Sequence, residues 1–331
     1  MEVSGTNLIA IEVAEILLFP GLTFFVWVAF LFDWLDRKTS ARMQQRVGPL
    51  VAGPSGILQP LADFFKLISK EEIVPEFADK FIFFLGPPLF FSAPAIGVIF
   101  IPILGTAAIV SNQYDLLFVL FIIAFSALMA AFLGYAAAGR WSTIAMGRLV
   151  AQYTGYEIPM IIALVTPAIL AHSLSITGIV QAQQSIWYIA LAPISFIVFI
   201  ISALAELEKP PFDIPSAKTE IVGGWMTEFS GRPLAYIKLT KNLGYAFLSA
   251  LAVSLFLGGP LGPVLFTDST LQAALYFIYF VVKLLIVGFL IFVIRTALAR
   301  IKIDQAVRFF WMIITPLSLI QLAFIMVVWW K

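Results

Sequence analysis

The chain has 331 residues, 61% of them hydrophobic and only 12% charged, with a formal net charge of +1. A mean hydropathy of +1.01 leaves too little polar surface to cover a soluble fold of this size, so most of the chain must meet lipid. The near-neutral charge gives no nucleic-acid footprint, the absence of cysteine excludes disulfides, Fe–S ligation and thiolate metal sites, and a single histidine, His172, argues against a zinc or haem site.

A bilayer core about 30 Å thick takes roughly 20 apolar residues of helix. Runs of that length place eight spans at 11–33, 81–104, 116–138, 145–171, 186–206, 235–258, 271–294 and 305–330. Their unbroken apolar character points to an all-α polytopic bundle rather than a barrel of alternating strands. Residues 1–331 are expected to form one integral-membrane domain. At the N-terminus, Glu2, Glu12 and Glu15, with no basic stretch, do not resemble a cleaved signal peptide. Glu12 and Glu15 fit a helix end still among headgroups.

After span 1, "QPLADFFKLISKEE" (59–72) repeats Leu61, Phe64, Phe65 and Ile68 at helical spacing, with Asp63, Lys66 and Lys70 opposite and Pro60 in the first turn. This pattern predicts an amphipathic helix on the membrane surface, too short to cross. The loops alternate sharply in charge. Seven basic residues lie between spans 1 and 2, two follow span 3, five lie in 206–241 and four follow span 7, whereas 105–115, 172–185 and 259–270 carry no Lys or Arg. An excess of Lys and Arg marks the cytoplasmic side. Both termini are therefore expected outside a cell or inner membrane, and loops 34–80 and 207–234 inside, as the contact surface for partners.

Ionisable groups within the hydrocarbon cost about 2.5–3.5 kcal/mol each on the insertion scale, so each needs a partner, water or a function. Glu157 follows Tyr153 by one helical turn in span 4, Glu206 closes span 5, and Lys283 sits mid-span 7, too deep to snorkel. Either a hydrated ion path or buried polar contacts between helices accounts for them. His172, at the outer end of span 4, reads as a surface or capping residue. A self-contained transporter binding substrate at Glu157 and Lys283 is a rival reading, yet the paired inverted repeats of many transporters are not visible. A bare membrane anchor does not need buried acids.

Three stretches, "DRKTSARMQQRVGPLVAGPSGILQPLADFFKLISKE" (36–71), "GRLVAQYTGYE" (147–157) and "AELEKPPFDIPSAKTEIVGGWMTEFSG" (205–231), resemble the H subunit, or subunit 1, of respiratory complex I and of related membrane-bound hydrogenase and sulfur-reductase complexes. The resemblance implies a subunit at the joint between a peripheral redox arm and an ion-pumping membrane arm, with no redox centre and no activity alone. Partners would be peripheral Fe–S subunits and a hydrogenase-like catalytic subunit on the cytoplasmic side, antiporter-like and small membrane subunits, and lipid. Fe–S clusters would reside only in those partners. By the same resemblance Glu157 and Glu206 belong to a path for H+ or Na+, joined by Glu220 and Glu228 from the funnel loop; Lys283 is added to that path from its buried mid-span position alone. Arg42, Arg46, Gly48, Pro49, Asp63, Asp213, Lys218 and Lys241 belong to the chamber and its rim.

The chain also departs from that family. Quinone-using members typically carry acids at the positions of Ser216, Lys218 and Lys241, and an Arg at Lys209. Ammonium groups there favour ionised carboxylates nearby, which tilts the expectation toward a ferredoxin-linked hydrogenase or sulfur-reductase type over an NADH or F420H2 quinone reductase. The first loop, in contrast, keeps "GPSGILQPLADFFKL" as quinone enzymes have it.

Overall fold

The computed structural model describes residues 14–265 and 268–329. Glu2, Glu12 and both chain termini lie outside the described residues. Helices account for all regular structure among those residues: α1 (Leu22–Met43), α2 (Gln59–Ile68), α3 (Lys80–Gly97), α4 (Asp115–Ala136), α5 (Arg140–Ala171), α6 (Ile176–Ala182), α7 (Tyr188–Leu191), α8 (Pro193–Glu206), α9 (Lys218–Ile221), α10 (Gly231–Phe256), α11 (Ser269–Ala297), α12 (Ile303–Phe309) and α13 (Thr315–Trp329). Seven are long and apolar enough to cross a membrane, counting α12 and α13 as one through a wide π-turn at Phe310–Ile314. Thr315 closes that turn by donating its hydroxyl to the Phe310 carbonyl at 2.8 Å.

The expected span at 186–206 is different. A break at Ala192 and Pro193 separates α7 from α8, and the 14 residues of α8 rise only about 21 Å. Its last residue, Glu206, meets Tyr156, halfway along the 32-residue α5. Beyond Glu206 the chain continues as an irregular segment, and Leu207, Phe212, Ile214 and Ala217 are buried in it. Irregular backbone at membrane depth is tolerated only inside protein, which is where this segment lies.

A second departure is at α1. The expected span ended at 33, but helix continues to Met43. Straight-chain residues and the Asp33–Arg37 pair, one turn apart at 2.7 Å, extend it. Residues 34–43 are thus helix rather than loop. The amphipathic helix forms as α2, with a rotated face. Phe64 packs on Phe30 with ring centroids 5.7 Å apart, whereas Phe65 stays exposed. Asp63, expected on the polar side, points inward to Arg37.

The most buried helix, α10, packs against α1, α3, α8 and α11. Small residues bring helices close. A Cβ at Gly97 would stand 2.6 Å from the Phe247 ring, and one at Gly288 would stand 2.6 Å from the Phe32 ring. At the end of the bundle away from the polar segment, His172 terminates α5 in the left-handed conformation (φ 49°). Buried Gln183 binds the Tyr188 and Gly258 N–H groups and the Ser254 carbonyl. Lys283 also acts at that end. Its ammonium donates to the carbonyls of Leu257, Gly259 and Leu261 at 2.7, 3.0 and 2.6 Å and lies 4.3 Å from the Trp187 ring centroid, capping α10. The structure therefore separates Lys283 from the acids with which the sequence grouped it.

Overpacking at the α3–α10 contact is testable. Gly97→Val should lower stability by about 1–3 kcal/mol, read as a lower unfolding temperature of the detergent-purified protein.

Candidate functional site

The inner part of the site is built by α5 and the end of α8. The Tyr156 hydroxyl donates to Glu206 Oε2 at 2.6 Å, and the Tyr153 hydroxyl donates to Glu157 one turn further along. The two tyrosine rings meet edge to face at 5.9 Å. The structure thus brings Glu157 and Glu206 into one cluster through adjacent tyrosines. A cavity beside it, lined by Gln152, Tyr156, Glu206, Glu208 and Lys241, has about 50 Å³ for the centres of water molecules, room for a few waters. Gln152 donates to the Ala205 carbonyl at 2.8 Å, while its buried side-chain oxygen has no protein partner. The rest of that cavity's lining is largely apolar, with Phe90, Ile122, Leu149 and Phe247 among it, so the orphan oxygen is the place on its wall where a water belongs.

Two residues on, the chain takes an uncommon course. The Glu208 N–H bonds the Ala205 carbonyl and the Lys209 N–H bonds the Leu204 carbonyl, the pattern that closes a helix with a left-handed residue. Glycine usually occupies that place, but here it is Glu208 at φ 49°. Its side chain explains the choice. The carboxylate is buried, accepts the Trp225 indole N–H on both oxygens at 3.0 and 3.1 Å, and pairs with Lys241 Nζ at 2.9 Å. Lys241 also lies 5.0 Å from the Trp225 ring centroid. Removing one partner of such a buried pair costs about 3–5 kcal/mol, because the other charge is left uncompensated.

Outward lie two larger cavities. One, of about 370 Å³, opens between α1, α2 and α10, where Asp33, Arg37, Asp63, Phe64, Lys238 and Lys241 are part of its lining. The other, of about 380 Å³, is bordered by Asp213, Ser216, Lys241, Arg295 and Arg300. Lys209, Lys218 and Met226 line both.

Ion pairs tie the walls together. Arg37 pairs with Asp33 and, at 2.5 Å, with Asp63. Buried Asp36 holds Arg295, with Lys209 3.9 Å away. Arg300 donates to the Asp213 carboxylate at 2.8 Å and to its carbonyl at 2.9 Å. Desolvation pulls the Asp63 carboxyl upward, but the hydrogen bonds from Arg37 and Gln59 outweigh it and hold its pKa below the ordinary range. Exposed Glu220 is likewise lowered, by the hydrogen bond from Arg148 at 2.5 Å.

The remaining predicted residues spread out. Glu228 packs against Gly139 at the start of α5, where a Cβ would stand 2.6 Å from its carboxylate oxygen, and a negative charge there suits the helix dipole. Lys218 is exposed at the cavity edge. Arg42, in the last turn of α1, and Arg46, just past it, are exposed and line neither cavity. Among the described residues, no group of three or more His, Asp or Glu side chains is placed to hold a metal ion.

Sequence reasoning missed Asp33, Asp36, Glu208, Arg295 and Arg300. Ending span 1 at 33 hid Asp36, whose three-residue spacing from Asp33 was the available signal. Glu208 stood in plain view within "ELEKPPFD", but its partner is 33 residues away.

Residues 16–326 match the family model described as NADH dehydrogenase. The H subunit of NADH-quinone oxidoreductase from Thermomicrobium roseum is 36% identical over 311 residues, covering 87% of this chain and 88% of its own. The H subunit numbered 2 in Geobacter sulfurreducens is 34% identical over 325 residues, covering 95% of each, and the H subunit of Dehalococcoides mccartyi is 34% identical over 299, covering 90% of this chain and 82% of its own. The chain belongs to the complex I H-subunit family. It is accordingly a multi-pass membrane subunit of a complex-I-like oxidoreductase. Within the H-subunit frame Lys241 is not a free cation in a funnel, because Glu208 takes up its charge inside the protein.

Burial separates the two kinds of ion pair. Asp36→Asn should cost about 3–5 kcal/mol and reduce the amount of assembled complex, as removal of a buried partner does. Glu220→Gln, at an exposed pair, should cost under about 1 kcal/mol. Native gel and thermal-unfolding comparisons of the two variants check the contrast.

Proposed function

We propose that this H subunit couples quinone reduction at a peripheral Fe–S arm to H+ or Na+ translocation. Its basic end faces the cytoplasm and its larger cavities form the acceptor chamber. The observation that carries this reading is the 370 Å³ cavity, whose lining joins the aromatic rings of Phe30 and Phe64 and the side chains of Leu67 and Leu239 to the charged groups of Asp33, Arg37 and Asp63. Such a mixture fits an amphiphile with an apolar tail and a polar head. The relatives named as quinone oxidoreductases support the same substrate class.

Inward from that chamber, the Glu157–Tyr153 and Tyr156–Glu206 pairs offer proton-exchanging groups beside a water-sized cavity. Eighteen of the 20 basic residues fall in the loops or helix ends assigned to the cytoplasmic side, which is the basis for the orientation. The second reading, a hydrogenase or sulfur-reductase type, is favoured by Ser216 and Lys218 where the family's quinone enzymes carry acids. The pairing of Lys241 with Glu208 removes one of its supports.

Turnover of the intact complex with quinone analogues, and separately with protons and sulfur compounds, decides between the readings. Quinone reduction sensitive to chamber-directed inhibitors is expected. Phe64→Ala should raise KM for a long-tailed quinone by about tenfold, the loss of roughly 1.4 kcal/mol of apolar contact. Reduction only of protons or sulfur compounds instead favours the second reading.

Glu157→Gln and Glu206→Gln should each leave the complex assembled and slow ion translocation, most at high membrane potential, where moving one charge against 100 mV costs about 2.3 kcal/mol. Pumping in proteoliposomes at the parental stoichiometry by both variants would remove the two acids from the path.

A further inference from the structure

The inner cavity, beside Glu206, and the 370 Å³ chamber share a single lining residue, Lys241, which also lines the 380 Å³ cavity. Glu208 faces the inner cavity and the 380 Å³ cavity. Lys241 is therefore the one residue on the walls of both the cavity beside Glu206 and the chamber. It is held there by a carboxylate at 2.9 Å and by an aromatic face, with its side chain mostly buried. An ammonium on a four-carbon stem is a mobile point charge, unlike the planar fork of arginine.

Glu208 has no comparable freedom. Its carboxylate is fixed by the Trp225 indole and its backbone by the left-handed helix closure. One member of the pair can swing and the other cannot. A backbone held in a sparsely populated conformation beside a cavity is also the kind of stored strain that accompanies functional sites.

We propose that Lys241 gates the passage between chamber and inner acid cluster by exchanging partners. At rest its ammonium neutralises Glu208. When a negative charge arrives on a reduced headgroup in the chamber, the ammonium swings toward it, and Glu208 is left as an uncompensated buried carboxylate. One proton then passes through the cavity water from the Glu206 carboxyl to the Glu208 carboxylate, leaving Glu206 ionised and Glu208 neutral. Glu208 is neutralised first by the ammonium and then by the proton, and the one negative charge added to the headgroup reappears at Glu206. Return of Lys241 as product departs drives that proton back through the inner cavity from Glu208 to Glu206, so both carboxyls end the cycle as they began. A lysine at this position thus serves as the device that opens and closes the path.

This gate rests on the proposed chamber function, so it is tested in a complex that reduces quinone. A parent complex that reduces none overturns the chamber reading and the gate's trigger with it, whereas quinone reduction with the outcomes below reversed overturns the gate alone. Lys241→Met alone leaves Glu208 buried and unpaired and can fail to assemble. The double variant Glu208→Gln/Lys241→Met removes both charges at similar volume, a change that buried pairs often accept without loss of stability.

In the assembled double variant, ions translocated per electron should fall about fivefold or more, the scale of a coupling free energy between two sites. Reduction-induced infrared difference spectra supply a second readout. The parent should show a paired carboxylic-acid signal, a gain from Glu208 and a loss from Glu206, and the double variant should lack both halves. A double variant that pumps at the parental ratio, or that retains the paired signal, overturns the gate.

Discussion

Fourteen residues of helix cannot cross a bilayer, and much of the site follows from the fact that α8 stops at Glu206. From there the backbone must travel through the bundle without regular structure. Buried peptide groups and charges without partners cost several kcal/mol each in such surroundings. The chain meets this requirement with paired charges rather than apolar filling. Glu208 takes Lys241 and Trp225, Asp36 takes Arg295 beside Lys209, and Asp213 takes Arg300 on both its carboxylate and its carbonyl. The first pair joins the irregular segment to α10, the second joins α1 to α11, and the third ties the segment to the connection after α11, so the polar interior also sets how α1, α10 and α11 meet.

Such an interior keeps cavities of about 370 and 380 Å³ that packing does not fill. Where side chains of opposite sign hold one another in a low-dielectric setting, a change in one charge is felt by its neighbours with little screening. The position of Glu206 at the inner end of the segment and of Asp63 at its outer side makes the arrangement responsive along its length. Around it lies an apolar shell. Phe25, Phe199, Phe256 and Phe280 are fully buried and keep the helices in place.

Much of this was legible in the sequence because composition and run length are global properties. Seven of the eight expected spans exist within a few residues of their expected bounds at most ends. The site was legible only where a charge stood alone in an apolar run, as Glu157 does. Where charges come in clusters, spacing does not tell loop from helix, so Asp36 was assigned to a loop and α1 was cut short. Long-range partners lay beyond sequence logic altogether. Lys283 showed itself as a buried cation, yet its carbonyl partners at Leu257, Gly259 and Leu261 come from the end of another helix. Lys241 likewise appeared as a sign reversal, whereas in three dimensions it completes a neutral pair.

The wide turn at Phe310–Ile314 has a consequence for how this chain is compared with others. A π-turn holds one more residue than the α-turn it replaces, and one residue of α-helix amounts to about 100° of rotation. The faces of α12 and α13 are therefore offset by roughly that angle from a continuous helix. The offset accompanies the placing of the Phe310 ring 4.9 Å from Phe212 and 6.1 Å from Tyr156. A relative with an unbroken α-helix here aligns with this chain only through a one-residue gap. An ungapped comparison across 310–314 pairs lipid-facing positions of one protein with bundle-facing positions of the other, and makes the last helix look more divergent than its packing is.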